Sequence, residues 1–333
     1  MSRRFTLFSL AISLVAAGFP SAKATQDITS ATTTFTAGTS STAEGYTYEN
    51  GSRIMNTFST ATNNYAVASL ANNVFVRRNN AVANQSSVWY TSSGVGTNLS
   101  GNHEDSYANM LLSDSVLSGS DNTFANVGTG GQFGNIERID FTWNSAITVS
   151  NSLAFAVFDR GAVGVHDAFG IVAITAVDGA GNPTAFGTLL KVASGWGGAT
   201  NAIGDMNYRL FRYSNGDNIT ATTDSTSTAT QGIGGIVVTA ADLGLVNGTT
   251  VYGYALTGYD VTASNSAEIL DYLNSTFYPT TTDGNTGGGG IDLASFNGLE
   301  FAVVPEPAAV PALLFVGIIF GGYNLLRARR ARP

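Results

Sequence analysis

The chain has 333 residues and no cysteine, and its 23 acidic and 15 basic residues give a formal net charge of -8. Because cysteine is absent, disulfides and thiolate metal sites are excluded and stability must come from a packed core. Charged residues are only 11% of the chain, which disfavours a helical bundle, and the acidic balance argues against nucleic acid as a partner.

The first 24 residues have the pattern of a secretory signal peptide. Arg3 and Arg4 form a basic start, residues 5–19 are an apolar stretch, and Ala22 and Ala24 have the spacing of a signal peptidase site. The stretch is short for a permanent membrane helix, which is the weaker interpretation. We therefore expect cleavage after Ala24 and export of the rest of the chain.

Residues 25–304 form the exported body, which carries 22 acids and 8 bases. Residues 25–47 are rich in Ser, Thr and Ala and predict an extended or poorly ordered start. Short apolar runs then alternate with Gly, Asn and Asp, which predicts an all-β fold, a β-sandwich or jelly roll. The predicted strands are residues 65–77, 136–143, 153–158, 169–177, 185–192, 208–213, 233–239, 251–257 and 299–303.

The spacing of apolar residues predicts which strand faces are buried. In residues 136–143, Ile139, Phe141 and Trp143 alternate with polar residues, which predicts a half-buried strand. Residues 154–158 and 169–174 are almost continuously apolar, as in strands covered on both faces. These two runs are the best candidates for the core.

Turn residues mark several connections. Residues 178–183, Asp-Gly-Ala-Gly-Asn-Pro, predict a hairpin tip. Thr239 and Asp242 predict a short capped helical turn that Gly244 ends. Residues 215–235 and 280–290 are candidates for long loops or for a boundary between two sub-domains, a division that the sequence leaves open. The four glycines at 287–290 predict mobility.

Two clusters place imidazole beside carboxylate, the raw material of a metal site or a general base. They are His103-Glu104-Asp105 and His166-Asp167. Both lie in turn-like polar sequence, where a solvated loop residue is the simpler interpretation. Neither has the helical spacing of a zinc protease.

Other charged residues suggest structural roles. Asp159, Arg160 and Asp167 predict an ion pair beside a core strand, because charges next to apolar sequence normally need partners. No resident cofactor is expected, but Ca²⁺ stays open as a ligand, because carboxylate and amide oxygens occur in loops without the EF-hand spacing. Those oxygen donors are Asp178, Asn182, Asp217 and Asp283, and no metal ligand is assigned.

Trp196 is the candidate glycan contact, because aromatic rings offer flat apolar faces to sugars. It stands between glycines in residues 194–198 and is the least strand-like aromatic residue. Among the aromatic residues, Trp196 is therefore the strongest candidate for exposure. The aromatic pairs Trp89-Tyr90 and Tyr252/Tyr254 lie in strand-like sequence and should be mostly core.

The last 29 residues have three features in a fixed order. Pro305-Glu306-Pro307 comes first, and an apolar run of 19 residues comes next at 308–326, close to the roughly 20 that span a bilayer. A basic tail at 327–333 ends the chain, with Arg327, Arg329, Arg330 and Arg332. This order predicts a single transmembrane helix whose basic end stays in the cytoplasm, so that the body lies across the membrane.

These terminal features resemble the PEP-CTERM sorting signal, which exosortases process in diderm bacteria that often make exopolysaccharide. Pro311, early in the apolar run, departs from the usual pattern. Residues 239–254 are also similar to a segment of other exosortase-sorted surface proteins. The resemblance implies an inner-membrane-anchored precursor, cleavage near the Pro-Glu-Pro motif by a separate membrane protease, and a mature protein at the cell surface or in the extracellular matrix.

The leading hypothesis is therefore a non-enzymatic structural protein of the exopolysaccharide layer. Its expected partners are signal peptidase and exosortase during export, the membrane before cleavage, and exopolysaccharide afterwards. A lectin-like carbohydrate-binding protein is the alternative. A secreted glycan hydrolase or lyase is a third hypothesis, which would need two carboxylates facing each other across a groove.

Overall fold

The computed structural model describes residues 25–37, 51–79, 86–92, 103–127, 134–214, 229–284 and 288–305. The α-helices in these ranges are α1 (His103–Leu111) and α2 (Ser266–Leu270), and a 3₁₀-helix covers Ser295–Gly298. The strands are β1 (Gln26–Asp27), β2 (Ser30–Ala37), β3 (Gly51–Ser59), β4 (Asn64–Leu70), β5 (Asn73–Arg78), β6 (Ser86–Thr91), β7 (Ser118–Ser120), β8 (Ile136–Thr148), β9 (Leu153–Gly161), β10 (Phe169–Val177), β11 (Pro183–Phe186), β12 (Leu190–Val192), β13 (Ile203–Ser214), β14 (Ala229–Thr239), β15 (Thr250–Gly258) and β16 (Leu299–Val303).

The strands form two antiparallel sheets, so the prediction of an all-β fold is confirmed. The larger sheet has the order β2-β3-β4-β16-β9-β14-β13-β6-β7, with β1 also on β14. The smaller sheet has the order β11-β10-β15-β8-β5, with β12 also on β10. One cluster of apolar side chains contains residues of both sheets, such as Phe155 of β9 and Leu256 of β15. The arrangement is sandwich-like.

The N-terminal segment curls the larger sheet back on itself. β1 pairs with β14, and β2, directly after it, pairs with β3. Between them Ile28 is fully buried, in a second apolar cluster with Phe58, Phe158 and Phe301. Of the extended or poorly ordered start expected at residues 25–47, the extended form is found at residues 25–37, while residues 38–47 lie outside the described ranges.

The two continuously apolar runs are covered on both faces, as predicted. In β9, Phe155 contributes to the cluster between the sheets and Phe158 to the cluster inside the curled sheet. In β10, Ile171 faces the first cluster and Val172 a third one, which includes Ile269 of α2. An alternating pattern cannot arise where both faces of a strand are buried.

Strand β8 is more buried than its sequence indicates. Ile139, Phe141 and Trp143 point inward as predicted. The polar positions are buried as well, because Arg138 binds Asp140 on the opposite face. The Arg138 guanidinium also donates to the backbone oxygen of Ile269, so α2 covers this face. The prediction of a half-buried strand is wrong for this reason.

Two predicted strands are each divided. Residues 65–77 contain β4 and β5, which belong to different sheets, because the chain crosses over at residues 71–72. Residues 185–192 contain the last two residues of β11 and all of β12, which pair with successive parts of β10. The other predicted strands lie within β8, β9, β10, β13, β14, β15 and β16. The loop expected at 215–235 is wrong for residues 229–235, which belong to β14, and residues 215–228 lie outside the described ranges.

The two predicted turns are confirmed. β10 and β11 form an antiparallel hairpin, and the Asp178 carboxylate accepts hydrogen bonds from the backbone of Ala180 and Asn182. After β14, the backbone and hydroxyl of Thr239 donate to Asp242, whose own N–H donates to the Thr239 hydroxyl. Gly244 ends this turn with φ +69°. Helices α1 and α2 were not expected.

No helix in the described part of the chain has the length and apolar character needed to cross a membrane. The predicted membrane helix at 308–326 and the signal peptide at 1–24 lie outside that part.

Candidate functional site

Buried ionisable side chains gather where β9 ends and the adjoining loops meet. We call Asp121, Asp159, Arg160, His166 and Asp292 the Arg160 cluster. They come from the loop after β7, from β9, from the β9–β10 loop and from the segment before β16. Four segments, from three distant regions of the sequence, therefore meet at one polar centre.

Arg160 is the cation of this cluster. Its guanidinium binds Asp121 at 2.5 Å and also binds Asp292. It lies between the rings of Tyr90 and Tyr208, at 4.5 and 3.9 Å from their centroids. Burial alone would lower the pKa of Arg160, but the two carboxylates outweigh it and raise that pKa. Arg160 therefore stays charged and stabilises otherwise unfavourable buried anions.

The predicted ion pair is thus partly wrong. Arg160 is paired, but with Asp121 and Asp292 rather than with Asp167. Burial, with the neighbouring Asp121 and Asp159, raises the pKa of Asp292 well above the ordinary value, although Arg160 opposes the shift.

His166 is fully buried, so the interpretation as a solvated loop residue is wrong. Its Nδ1 lies 3.1 Å from Asp159 Oδ2 and its Nε2 lies 3.1 Å from Asn201 Oδ1. Asp159 also accepts from the backbone N–H groups of Asp167 and Asp292. Both ring nitrogens of His166 thus have side-chain partners, which suits a structural centre better than a general base.

The glycines around His166 explain its position. A Cβ atom at Gly197 or at Gly234 would overlap the imidazole ring, and Gly197 also has φ +97°. The glycines that suggested an exposed loop in residues 194–198 serve instead to let the backbone approach this ring.

Trp196 is 5% exposed, so this candidate for an exposed aromatic residue is buried. Its ring packs on His166 at a centroid distance of 4.9 Å and at an edge on Phe169. Its Nε1 donates to the Asp167 backbone oxygen at 2.8 Å. Both the ring and the N–H of Trp196 are thus engaged inside the protein.

Three more carboxyl groups have raised pKa values. Burial, helped by Asp159, raises the pKa of Asp167 to about 6. Burial raises the pKa of Glu137 to about 7; the hydrogen bond from Asn126 opposes this and the nearby Asp260 adds to it. Burial also raises the pKa of Asp260 itself. Perturbed carboxyl groups near a cavity are candidates for function.

An open cavity of about 490 Å³ lies beside Asp260. Its lining also includes Tyr259, Ser194, Thr282 and Asp283. Thr282 Oγ1 donates to Asp260 Oδ2 at 2.7 Å, and the Lys191 ammonium lies 5.4 Å from the centroid of the Tyr259 ring. The cavity thus combines an aromatic ring, carboxylates and hydroxyl groups.

The oxygen donors considered for Ca²⁺ do not converge. Asp178 and Asn182 hydrogen-bond to each other within the β10–β11 turn, whereas Asp283 lines the cavity near Asp260. Asp217 lies outside the described ranges. Within those ranges no group of three or more acidic or histidine side chains is placed to hold a metal ion.

The other predicted site residues lie apart from the Arg160 cluster or outside the described ranges. His103, Glu104 and Asp105 begin helix α1 rather than a turn. Gly288, Gly289 and Gly290 lie close to Asp260, Phe124 and Asp167, and the mobility expected of the glycine run stays a prediction. Pro305 is the last described residue. Outside the described ranges lie Gly287, Ala22, Ala24, Glu306, Pro307, Arg327, Arg329, Arg330 and Arg332.

Asp121, Asp292, Tyr90 and Tyr208 were missed at the sequence level. The two acids lie 39 and 132 residues from Arg160, so the spacing of these residues in the sequence does not predict the contacts. The sequence did indicate that Arg160, if buried, would need acidic partners.

Comparison of the chain with protein-family models, with curated proteins and with solved structures finds no match.

Proposed function

We propose that this chain is an exported surface protein, cleaved at both ends, with a non-enzymatic structural role in an exopolysaccharide layer. The order of Pro305-Glu306-Pro307, apolar run and basic tail motivates the sorting step, through its resemblance to the PEP-CTERM signal. In this proposal the precursor is anchored in the inner membrane until an exosortase cuts it.

One structural observation supports the proposal most directly. Strand β1 begins two residues after Ala24, and β16 ends two residues before Pro305. Both proposed cuts thus lie next to the folded body and would remove none of its strands. A cut only a few residues further inside would remove β1, which joins β14 to the N-terminal segment, or part of β16, which lies between β4 and β9.

The engaged state of the Arg160 cluster fits a structural role. Its ion pairs and hydrogen bonds join four segments, and His166 has partners at both nitrogens. Such a centre holds loops together in a protein that has no disulfide to do so.

The experiment is mass spectrometry of the mature chain from its native host. We expect a first residue of Thr25 and a last residue between 304 and 307. Changing Pro305, Glu306 and Pro307 to alanine should leave uncleaved precursor in the inner membrane, as should deletion of the exosortase. An alanine variant that matures normally would contradict the proposal.

A second candidate function, glycan binding, is favoured by the cavity beside Asp260. Tyr259, Asp260 and Thr282 supply the ring and polar groups that sugar sites combine. Exopolysaccharide binding by the full chain should then weaken in Tyr259→Ala and stay unchanged in Tyr252→Ala, a tyrosine outside the cavity lining. Equal binding by both variants would reject this site.

A further inference from the structure

The charges of the body are distributed unevenly between the two ends of the larger sheet. One end consists of the turn at 60–63 and the loops at 149–152 and 240–249, and we call it the uncharged end. Hydrogen bonds join its parts: Asn247 Nδ2 donates to Asn151 Oδ1 at 2.7 Å, and Gly248 N donates to Val149 O at 2.9 Å.

Asp242 is the one ionisable residue in these three segments. It is 5% exposed, and its carboxylate accepts hydrogen bonds from Thr239. The exposed residues of the uncharged end are Ala, Thr, Asn, Gly and Val, with Val246 exposed by 67%. The nearby β10–β11 turn, which carries Asp178, folds against Asn73 and Thr142 of the smaller sheet.

The opposite end is acidic. The connection from β15 to β16 leaves and returns at that end, and residues 259–292 contain five acids and no base: Asp260, Glu268, Asp271, Asp283 and Asp292. Asp121 and Asp167 lie in loops at the same end. The body as a whole carries 22 acids against 8 bases, so the neutrality of the uncharged end is a local property.

Both termini of the body leave at the uncharged end. Val303 N donates to Ser152 O, and Val304 N donates to Asn64 O at 2.8 Å. Gln26 Oε1 accepts from Thr60 and Thr62 in the turn next to Asn64. The apolar run starts at Ala308, five residues after β16 ends, and five residues span at most about 18 Å.

We infer that the uncharged end is a membrane-facing surface that rests on lipid headgroups while the precursor is anchored. The inference depends on the proposed membrane insertion of residues 308–326. Since the headgroup layer is about 5–8 Å thick on each side, the short tether leaves the uncharged end near or against it. Anionic lipids repel acidic surfaces, whereas uncharged Asn and Thr side chains can hydrogen-bond with headgroups.

The test uses two single-cysteine variants of the full chain, which has no native cysteine. Val246→Cys places a fluorophore at the uncharged end. Val165→Cys is the matched control, because Val165 is exposed by 66% and lies in the loop after β9, at the other end of that strand. Each labelled chain is inserted into vesicles of equal parts phosphatidylethanolamine and phosphatidylglycerol that carry a headgroup-linked quencher.

We expect quenching at position 246 to exceed that at 165 at least about twofold, because the strand separating the two sites is about 25 Å long. Flotation with the vesicles tests the anchor separately. Chains that float but show equal quenching overturn the inference and leave the proposed function standing, whereas chains that do not float refute both. A further control places the labelled chain in detergent micelles without lipid. If the fluorophore at position 246 becomes more shielded from solvent as the protein concentration rises, the surface binds a second copy of the chain, and the inference is overturned.

Discussion

Replacing Arg160 with methionine should destabilise the body strongly. Methionine keeps much of the apolar stem but removes the guanidinium, which leaves Asp121 and Asp292 without their cation. The side chains of these two acids are only 4% and 15% exposed. Water can therefore replace the lost partner only in part.

The magnitude depends on the loss of two buried ion pairs. Breaking a buried pair by removing one partner costs roughly 3–5 kcal/mol, and each lost contact with Tyr90 and Tyr208 adds about 0.5–1 kcal/mol. Protonation of Asp292 limits the loss, so we expect about 3–5 kcal/mol in total at neutral pH. A domain has only about 5–15 kcal/mol of stability, so the change is a large fraction of it.

The pH dependence tests the cause. Arg160 lowers the pKa of Asp292, so without it the folded-state pKa of Asp292 lies further above the unfolded value of about 3.9. The folded chain then binds a proton that the unfolded chain does not. Stability of the variant should therefore recover, relative to the natural chain, as pH falls from about 7 to about 4. Adding Asp292→Asn to the variant should also restore part of the loss.

The assay is urea denaturation monitored by tryptophan fluorescence. Arg53→Met is the control, because half-buried Arg53 also lies over a ring, Phe35, at 5.5 Å, and should cost about 1 kcal/mol or less. A loss below about 1 kcal/mol in Arg160→Met, or a loss that does not vary with pH, would refute the reasoning about buried anions.

Other contacts lead to three more expected outcomes. Gly234→Ala should destabilise the body by about 1–3 kcal/mol because its Cβ would overlap the His166 ring, whereas Gly204→Ala, where no atom lies within 4 Å of the new Cβ, should be near neutral in the same urea titration. Because burial raises the pKa of Glu137 to about 7, its contribution to stability should fall as pH rises from about 4.5 to 7 and stay constant above pH 7. The thermal midpoint of Glu137→Gln should lack this fall. A Glu137→Gln variant with the pH profile of the natural chain would contradict the prediction. Trp196→Ala should lower the free energy of unfolding by about 3–5 kcal/mol in thermal unfolding, because the ring is buried. Glycan binding by the folded variant should be unchanged. A variant of full stability that no longer binds glycan would show that Trp196 is a sugar contact.

Local pattern predicted much of the fold. The apolar runs of β9, β10, β15 and β16 are buried strands, and the turns at Asp178 and Thr239 form as their side chains indicate. Local pattern could not show that residues 71–72 change sheets, because both β4 and β5 are apolar enough to be taken for one strand. That crossing depends on bonds to Gly298 and Thr142, which are distant in sequence.

The candidate site was harder to predict because its chemistry is long-range. Arg160 stood out as a charged residue beside an apolar strand and His166 as an imidazole beside a carboxylate, but their partners Asn201, Asp121 and Asp292 are set by topology. Trp196 shows the opposite failure. Its flanking glycines suggested exposure, whereas Gly195 and Gly197 supply positive φ values that turn the ring inward.

The position of β16 links the fold to the proposed mode of delivery. Leu299 and Phe301 are fully buried, and the strand lies between β4 and β9, pairing Leu299 with Leu70 across most of the chain. In the proposed export, the larger sheet could not be completed before residues 299–303 had left the translocation machinery, because a central strand has no substitute. An apolar segment that stops in the membrane five residues later would hold β16 just outside it. Folding would thus finish at the membrane surface, with the uncharged end beside the lipid and the sorting motif next to its protease.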